Sequence, residues 1–203
     1  MGEAGEPRLE QLETIREYAW ERLVESGESE RICREHACYY LQLVEDAEPY
    51  LTSGHREAWL KRLEVDHDNL HAALVWSQGS EDGVPLALRL AGALWWFWHF
   101  RGYLSHGRDL LEGVLKLEAT HQHKRERAEA LYGAGSLAWF LSDFCSARRR
   151  LEESVALWRE LGDERGLAYA LNLLGVDALW THNEEVARHM HVESVSLLYK
   201  LGD

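Results

Sequence analysis

The sequence has little proline, little cysteine and a shortage of basic charge. Three prolines in 203 residues leave long stretches in which helices can run without interruption. Three cysteines are an odd number in a long chain, which argues against a disulfide framework and predicts a reducing, cytoplasmic location. The 35 acidic residues outnumber the 22 lysines and arginines, and the formal net charge of -13 would repel a phosphate backbone. We therefore expect no direct nucleic-acid binding by this chain.

Segments that define several other classes of protein are also missing. Residues 1–6 contain neither a basic region nor an apolar stretch, so no signal peptide is predicted there. No apolar run reaches the ~18 residues that a membrane span requires, and no membrane association is predicted. None of the four lysines follows a glycine, so the chain lacks the Gly-Lys-Ser/Thr loop that binds nucleotide phosphates. We expect no ATP turnover, no other catalysis, and neither a cofactor nor a metal ion.

The sequence is rich in helical periodicity. Apolar residues recur every three or four positions, and Gly, Ser, Asp or Pro separates blocks of helix length. Pro49 lies just past the predicted end of the second block. No block alternates as a strand would. We predict ten helices: residues 9–24, 31–47, one that opens at 52–54, one capped at 66–68, and then 84–101, 104–119, 125–141, 144–161, 165–180 and 184–201.

An internal repeat of 40 residues organises the second half of the chain. Residues 124–163 align with 164–203 without a gap and share 15 identities, where chance gives roughly two or three. Both units end in Leu-Gly-Asp, a glycine suited to the left-handed conformation and an aspartate suited to cap the next helix. Small residues at shared positions would let two helices of a hairpin approach closely. The residues predicted to pack the hairpins are Leu131, Gly135, Ala138, Ala147, Leu171, Gly175, Ala178 and Ala187.

The order of large and small residues resembles the tetratricopeptide repeat, in a variant with longer helices. Gly135 and Ser154 match the pattern in one unit, and Gly175 and Ser194 match it in the next. A degenerate unit precedes them and carries Trp95 where glycine is expected, so its helices should lie further apart. The resemblance implies an all-α fold of stacked antiparallel helical hairpins, a tetratricopeptide-like superhelix or α-solenoid.

A second resemblance covers the first half of the chain. Residues 12–23, 36–40, 59–64 and 67–74 read LETIREYAWERL, HACYY, WLKRLE and HDNLHAAL. In this order they resemble the region that follows the nucleotide-binding and winged-helix modules of bacterial STAND-type signalling ATPases, a group that includes LuxR-like and MalT-like transcriptional regulators. The resemblance implies a sensor-arm fragment of a larger regulator.

These observations divide the chain into five parts. They are a disordered start (1–8), a helical linker region (9–80), a degenerate tetratricopeptide-like unit (84–123) and two tetratricopeptide-like repeats (124–163 and 164–203). We interpret the whole as a protein- or peptide-interaction or inducer-sensing module that does not catalyse a reaction.

Aromatic residues indicate where a partner would bind. Residues 95–98 read WWFW and cover the whole circumference of a helix, with Trp95 and Trp98 predicted in the core. In the repeat register Trp96 instead falls on the concave inner face, where aromatic and amide groups suit a peptide or a small inducer. The predicted groove residues are Trp96, His99, Tyr132, Ser136, Trp139, Tyr169, Asn172, Val176 and Leu179.

Several alternatives remain open at this point. Segments of the parent protein could fill the inner face, or the chain could be a free-standing peptide-binding adaptor. A remote alternative is a metal-dependent enzyme that uses His67 and His71, one helical turn apart but without an evident third ligand. The last helix carries more apolar residues than one packed stripe needs, so we expect further repeats after it, or a homodimer through this uncapped helix.

Overall fold

Helices account for nearly all of the computed structural model, which describes residues 13–202. In that range there is no β-strand, and no helix is both long and apolar enough to cross a membrane. The predicted all-α fold of stacked hairpins is confirmed. The helices are α1 (Glu13–Glu25), α2 (Ser29–Leu51), α3 (Arg56–Val65), α4 (His67–Gly79), α5 (Val84–Arg101), α6 (Leu104–Leu115), α7 (Lys124–Phe140), α8 (Phe144–Leu161), α9 (Glu164–Trp180) and α10 (Glu184–Leu201). The predicted disordered start and the predicted first residues of the first helix lie outside the described range.

The helices form two layers. Helices α5, α7 and α9 lie side by side, and each folds back on its own partner, α6, α8 or α10. Helix α2 extends the first layer because it packs against α5, and α4 extends the second layer because it packs against α2. We call α2, α5, α7 and α9 the inner layer, and α4, α6, α8 and α10 the outer layer.

The turn inside each hairpin has the same backbone geometry in three successive units. Gly102, Ser142 and His182 adopt left-handed conformations with φ of 79°, 62° and 59°. These residues are 40 positions apart, so the repeat extends to the unit in which sequence identity is weak. A glycine adopts this conformation without strain, whereas serine and histidine do so at a cost.

A buried hydrogen bond also recurs at the repeat spacing. The Ser154 hydroxyl on α8 donates to the Ala128 carbonyl on α7 over 2.8 Å. The Ser194 hydroxyl on α10 donates to the Ala168 carbonyl on α9 over 2.8 Å. Each serine thus joins the two helices of its own hairpin, which explains why serine stands at this repeat position.

An ion pair recurs with its charges exchanged. Lys124 on α7 pairs with Glu160 on α8, and Glu164 on α9 pairs with Lys200 on α10. The two pairs occupy equivalent repeat positions, with the lysine and the glutamate on opposite helices. Both units therefore keep the attraction while their sequences differ at both positions.

The residues predicted to pack the hairpins all lie in the interior. Leu131, Ala138, Ala147, Leu171, Ala178 and Ala187 are at most 5% exposed, and Gly135 and Gly175 are buried too. A Cβ added at Gly135 would lie 2.8 Å from Leu151 Cγ and 3.2 Å from the Ala147 carbonyl oxygen. The second helix therefore passes so close to Gly135 that a side chain there would displace it.

Two predicted helix ends were wrong. Pro49 lies inside the last turn of α2, because burial of Leu51 offsets the hydrogen bond that proline cannot donate. Helix α6 ends at Leu115 rather than at residue 119. The buried Arg127 side chain donates to the Leu115 carbonyl over 3.0 Å and to the Thr120 hydroxyl over 2.6 Å, and so caps that end.

The core consists of two clusters of buried residues, one from α2 to α7 and one from α7 to α9. Trp95 and Trp98 are 5% and 2% exposed, which confirms the prediction that both belong to it. At the C-terminal end of the described range, α10 leaves a large apolar surface in solvent, with Val195 64% and Tyr199 87% exposed. The proposed homodimer through this helix remains a prediction.

Candidate ligand-binding groove

An open cavity of about 780 Å³ lies along the inner layer, with walls from α2, α5, α7 and α9. We call it the groove. One set of equivalent repeat positions runs across it, and its three members line the walls: Arg89, Glu129 and Tyr169, each in the second turn of its helix. The same turn of α5, α7 and α9 thus builds three sides of the groove, and the last turns of α2 complete it with Glu45, Glu48 and Pro49.

Aromatic rings form one wall of the groove. Trp95 and Trp96 stack with ring centroids 3.9 Å apart, and Tyr132 meets Trp95 edge-on at 5.5 Å. Burial raises the pKa of Tyr132 to about 12, so its phenol stays protonated at neutral pH. Tyr169 and Trp158 line the same cavity from the side of α9 and α8. Such rings can stack on a planar ligand or face a cation.

Charged residues line the rest of the groove, and some of them neutralise each other. Arg89 donates to both carboxylate oxygens of Glu45, over 2.6 and 2.9 Å. Arg125 pairs with Asp163, and its guanidinium lies 5.6 Å from the centre of the Trp158 ring. Asp163 also caps α9, because its carboxylate accepts a hydrogen bond from the Gly166 amide over 2.9 Å.

Two other carboxylates in the groove have no such partner. Neither Glu48 nor Glu129 forms an ion pair or a hydrogen bond within residues 13–202. Desolvation, reinforced by the charge of Glu48, raises the pKa of Glu129 to about 7. Desolvation and the neighbouring Glu45 also raise the pKa of Glu48. Both side chains remain reachable from solvent, so a ligand entering the groove would meet them.

The structure brings three of the nine predicted groove residues together. Trp96, Tyr132 and Tyr169 all line the groove, from α5, α7 and α9 respectively. The other six lie elsewhere, mostly toward the C-terminal ends of the inner helices. Asn172 and Leu179 are exposed on α9, and Val176 is half-buried there, but none of the three lines the groove.

Ser136 is buried, which corrects its assignment to a ligand surface. It is 0% exposed, and its hydroxyl donates to the Tyr132 carbonyl over 2.7 Å, one turn earlier on α7. A serine hydroxyl that satisfies its own helix in this way has no contact to offer a ligand.

His99 and Trp139 belong to an aromatic cluster beside the groove. The His99 ring lies 3.9 Å from that of Phe140, and burial and the nearby Arg56 lower the pKa of His99. Trp139 meets Phe140 edge-on at 5.2 Å and Trp180 at 6.1 Å. These rings pack between the C-terminal ends of α5, α7 and α9, and the open cavity lies toward the N-terminal ends of these three helices.

Sequence reasoning missed the charged half of the groove. Applying the 40-residue register to Tyr169 leads to Glu129 and Arg89, because all three occupy the same repeat position. The 40-residue register does not indicate Glu45 and Glu48. Helix α2 shows no identity with the later units that would have marked it as part of the inner layer.

The two histidines of the metal hypothesis meet a third one. His67 and His71 on α4 face His106 on α6, with ring centroids 6.1 and 5.7 Å apart. Burial and the two neighbouring histidines lower the pKa of His106. In the described part of the chain, however, no group of three or more His, Cys, Asp or Glu side chains is arranged to hold a metal ion. The His67 ring packs instead against Phe97 and Tyr103.

Comparison with known proteins relates the chain to transcriptional regulators. No protein-family profile matches it. It is 30% identical over 207 aligned positions to "Putative HTH-type transcriptional regulator Rv0890c" of Mycobacterium tuberculosis (strain ATCC 25618 / H37Rv) and to "Putative HTH-type transcriptional regulator Mb0914c" of Mycobacterium bovis. The alignments cover 98% of this chain but only 23% of each relative. The chain is thus a helical module similar to one segment of these regulators.

Proposed function

We infer that this chain is a sensor arm of a transcriptional regulator, a tetratricopeptide-type module that binds a peptide or a small inducer in the groove. The observation that carries this inference is the cavity of about 780 Å³ with its aromatic and charged walls. Ligand-binding cavities typically measure about 300–1,000 Å³ and combine apolar rings with a few placed polar groups. The chain binds its ligand without transforming it.

The arrangement of the groove supports a sensing role. Its walls come from four inner helices, so an occupant contacts several units of the stack at once. A ligand that prefers one relative placement of these units shifts the population toward that placement. By the resemblance to STAND-type regulators, this shift would alter contacts with a neighbouring nucleotide-binding switch and a DNA-binding module. The names of the two mycobacterial relatives agree with such a context.

A peptide display selection tests this function directly. Random 12-residue peptides are selected on the immobilised chain, and the enriched peptides are measured against two variants. Tyr169→Ala removes an exposed ring of the groove, whereas Tyr199→Ala removes an exposed ring of α10 outside it. We expect Tyr169→Ala to weaken binding by ~2 kcal/mol, the typical cost of losing an aromatic anchor, and Tyr199→Ala to leave it unchanged. Enriched peptides that bind both variants equally well would contradict the assignment of the groove.

A nucleotide titration tests whether the switch lies outside this chain. The purified chain should show no saturable ATP binding and no ATP turnover, because the sequence contains no phosphate-binding loop. Saturable binding at micromolar ATP would refute the proposal that the nucleotide-binding switch lies outside this chain.

A further inference from the structure

We propose that the groove recognises an organic cation, an ammonium or guanidinium group held between the Glu48 and Glu129 carboxylates and the ring of Tyr169. This inference rests on the proposed function, since it names the chemical class of ligand for the same groove. It concerns a class of ligand that includes both free amines and the side chains of lysine and arginine.

The first support is the uneven pairing of charges in the groove. Glu45 is neutralised by Arg89, and Asp163 by Arg125. Glu48 on α2 and Glu129 on α7 have no ion pair within residues 13–202, although three arginines line the same cavity. The protein therefore leaves two neighbouring carboxylates in the groove without an ion pair, because Arg125, which attracts Glu129 from one helical turn away, is paired with Asp163. A cation between the two carboxylates would supply the missing partner.

The second support is the chemistry of the walls beside these carboxylates. Trp96 stacks with Trp95 and Phe100, with centroids 3.9 and 5.4 Å away, so these rings cover its indole and it forms a fixed apolar wall. Tyr169 presents a ring that is 42% exposed at the same repeat position as Glu129. Aromatic faces attract cations through their quadrupole, and such contacts strengthen where water is partly excluded. Carboxylates and rings together select a cation over a neutral apolar group of equal size.

The titration behaviour of the carboxylates agrees with a missing counter-charge. The pKa of Glu129 is raised to about 7 and that of Glu48 is also raised, because desolvation disfavours their charged forms. A bound cation would lower both pKa values again. The titratable and charged groups around Glu129 are Glu45, Glu48, Arg89, Arg125, Glu126, Tyr132, Asp163, Arg165 and Tyr169.

The test uses two matched peptides that differ in one ammonium group, together with a free diamine. Acetyl-Gly-Lys-Gly-amide, its norleucine counterpart and free cadaverine are titrated into the full chain at pH 8, and binding is followed by calorimetry. We expect the lysine peptide or cadaverine to bind at least tenfold more tightly than the norleucine peptide. Preferential binding of the peptide identifies a peptide side chain as the natural form of the cation, and preferential binding of cadaverine identifies a free amine.

Two isosteric variants locate the binding to these carboxylates. Glu129→Gln and Glu48→Gln keep the shape of the side chain and remove its charge. Each should weaken binding of the cation roughly tenfold or more, as expected for losing one charge-assisted contact. Glu152→Gln, on an exposed part of α8 outside the groove, is the control and should bind as the unaltered chain does. Circular dichroism of each variant verifies the fold before binding is measured.

The pH dependence gives an independent readout. A cation binds the ionised form of Glu129, and with a pKa of about 7 that form grows from a minor to a major fraction between pH 6 and pH 8. Lysine and cadaverine stay charged across this range. The affinity should therefore rise about tenfold from pH 6 to pH 8 in the unaltered chain, and much less in Glu129→Gln.

The outcomes separate this inference from the function on which it rests. If the norleucine peptide binds as well as the lysine peptide, or if both Gln variants bind the cation normally, the cation site is refuted. Peptides from the display selection that still require Tyr169 would then leave the groove itself intact. If no selected peptide depends on Tyr169, the proposed function fails as well.

Discussion

The hairpin α5–α6 and the two hairpins that follow it solve the same packing problem in opposite ways. In α7–α8 and α9–α10, a glycine on the first helix (Gly135 or Gly175) receives a side chain of the second helix. In α5–α6 the glycine is on the second helix, because a Cβ added at Gly107 would lie 2.5 Å from the Trp98 ring. Gly135 thus lets the backbone of the second helix approach, since an added Cβ would lie 3.2 Å from the Ala147 carbonyl oxygen, whereas Gly107 makes room for the large Trp98 ring between the helices.

The absence of a glycine from this position of α5 also affects the groove. Trp95 occupies the repeat position that glycine holds in the later units, and its side chain lies against α7, where Gly133 leaves room for it. Trp95 then supports Trp96, which lines the groove. The unit with the weakest sequence match thus supplies two of the aromatic rings that line the groove. We therefore expect substitutions at equivalent positions to have unequal effects.

The largest effect is expected at Gly135. Gly135→Leu should lower the free energy of unfolding by on the order of 1–3 kcal/mol or more, because the added side chain meets Leu151 and the Ala147 backbone. Gly175→Leu should cost less, since it meets the half-buried His191 ring, which can turn away. Urea denaturation measures both changes. Gly79, where an added Cβ meets nothing within 4 Å, serves as the control. An unchanged stability of both Gly135→Leu and Gly175→Leu would disprove the repeat register.

Substitutions of two equivalent valines, Val155 and Val195, should also have clearly different effects on stability. Val155 on α8 is 6% exposed, whereas Val195 on α10 is 64% exposed, because α9 covers α8 but no described helix covers α10 in the same way. Val155→Ala should destabilise the protein by roughly 1.5–3 kcal/mol. Val195→Ala should leave the monomer's stability nearly unchanged.

The same valine pair tests the predicted homodimer. If a second copy covers α10, Val195→Ala should weaken self-association, which sedimentation at several concentrations detects. A monomer at tens of micromolar with no concentration dependence would count against self-association through α10.

Substitutions at the three left-handed turn residues should change the stability of the chain in opposite directions. Gly102→Ala should destabilise the chain by ~1 kcal/mol, because φ is 79° there and a Cβ is strained in that region. Ser142→Gly and His182→Gly should each stabilise it by up to ~1 kcal/mol, since the strain is relieved and only partly offset by the added freedom of the unfolded chain. Thermal unfolding of the three variants measures the signs. A stabilising Gly102→Ala would mean that the turns are not equivalent.

The smallest effect is expected from the exchanged ion pairs. Lys124→Glu or Glu160→Lys alone should cost at most ~1 kcal/mol, because the pair is largely exposed. The double variant, which copies the arrangement of Glu164 and Lys200, should recover most of that loss. A double-mutant cycle at low salt and at 1 M salt measures the coupling, which should shrink at high salt. A double variant less stable than both single variants would contradict the equivalence of the two pairs.

Prediction from sequence succeeded for the helices and failed for half of the groove. Most predicted helix bounds differ from the observed ones by a few residues, because periodicity and turn residues act over short distances. The aromatic residues Trp96, Tyr132 and Tyr169 were found through the repeat register. Trp139 and His99 share that register, but neighbouring rings enclose them, and no one-dimensional pattern shows which inward side chains pack against each other.

Local sequence alone decided the helical hairpins, the 40-residue spacing and the glycines at close approaches, because these depend on residues within one unit or its direct repeat. The position of α2 was decided only when the chain folded, since it packs on α5 across the intervening α3 and α4. That packing brings Glu48 to the same groove as Glu129, which lies about two repeat lengths further along the chain. The raised pKa of Glu129 follows from partial desolvation and, second, from the charge of Glu48, and both exist only in the assembled stack.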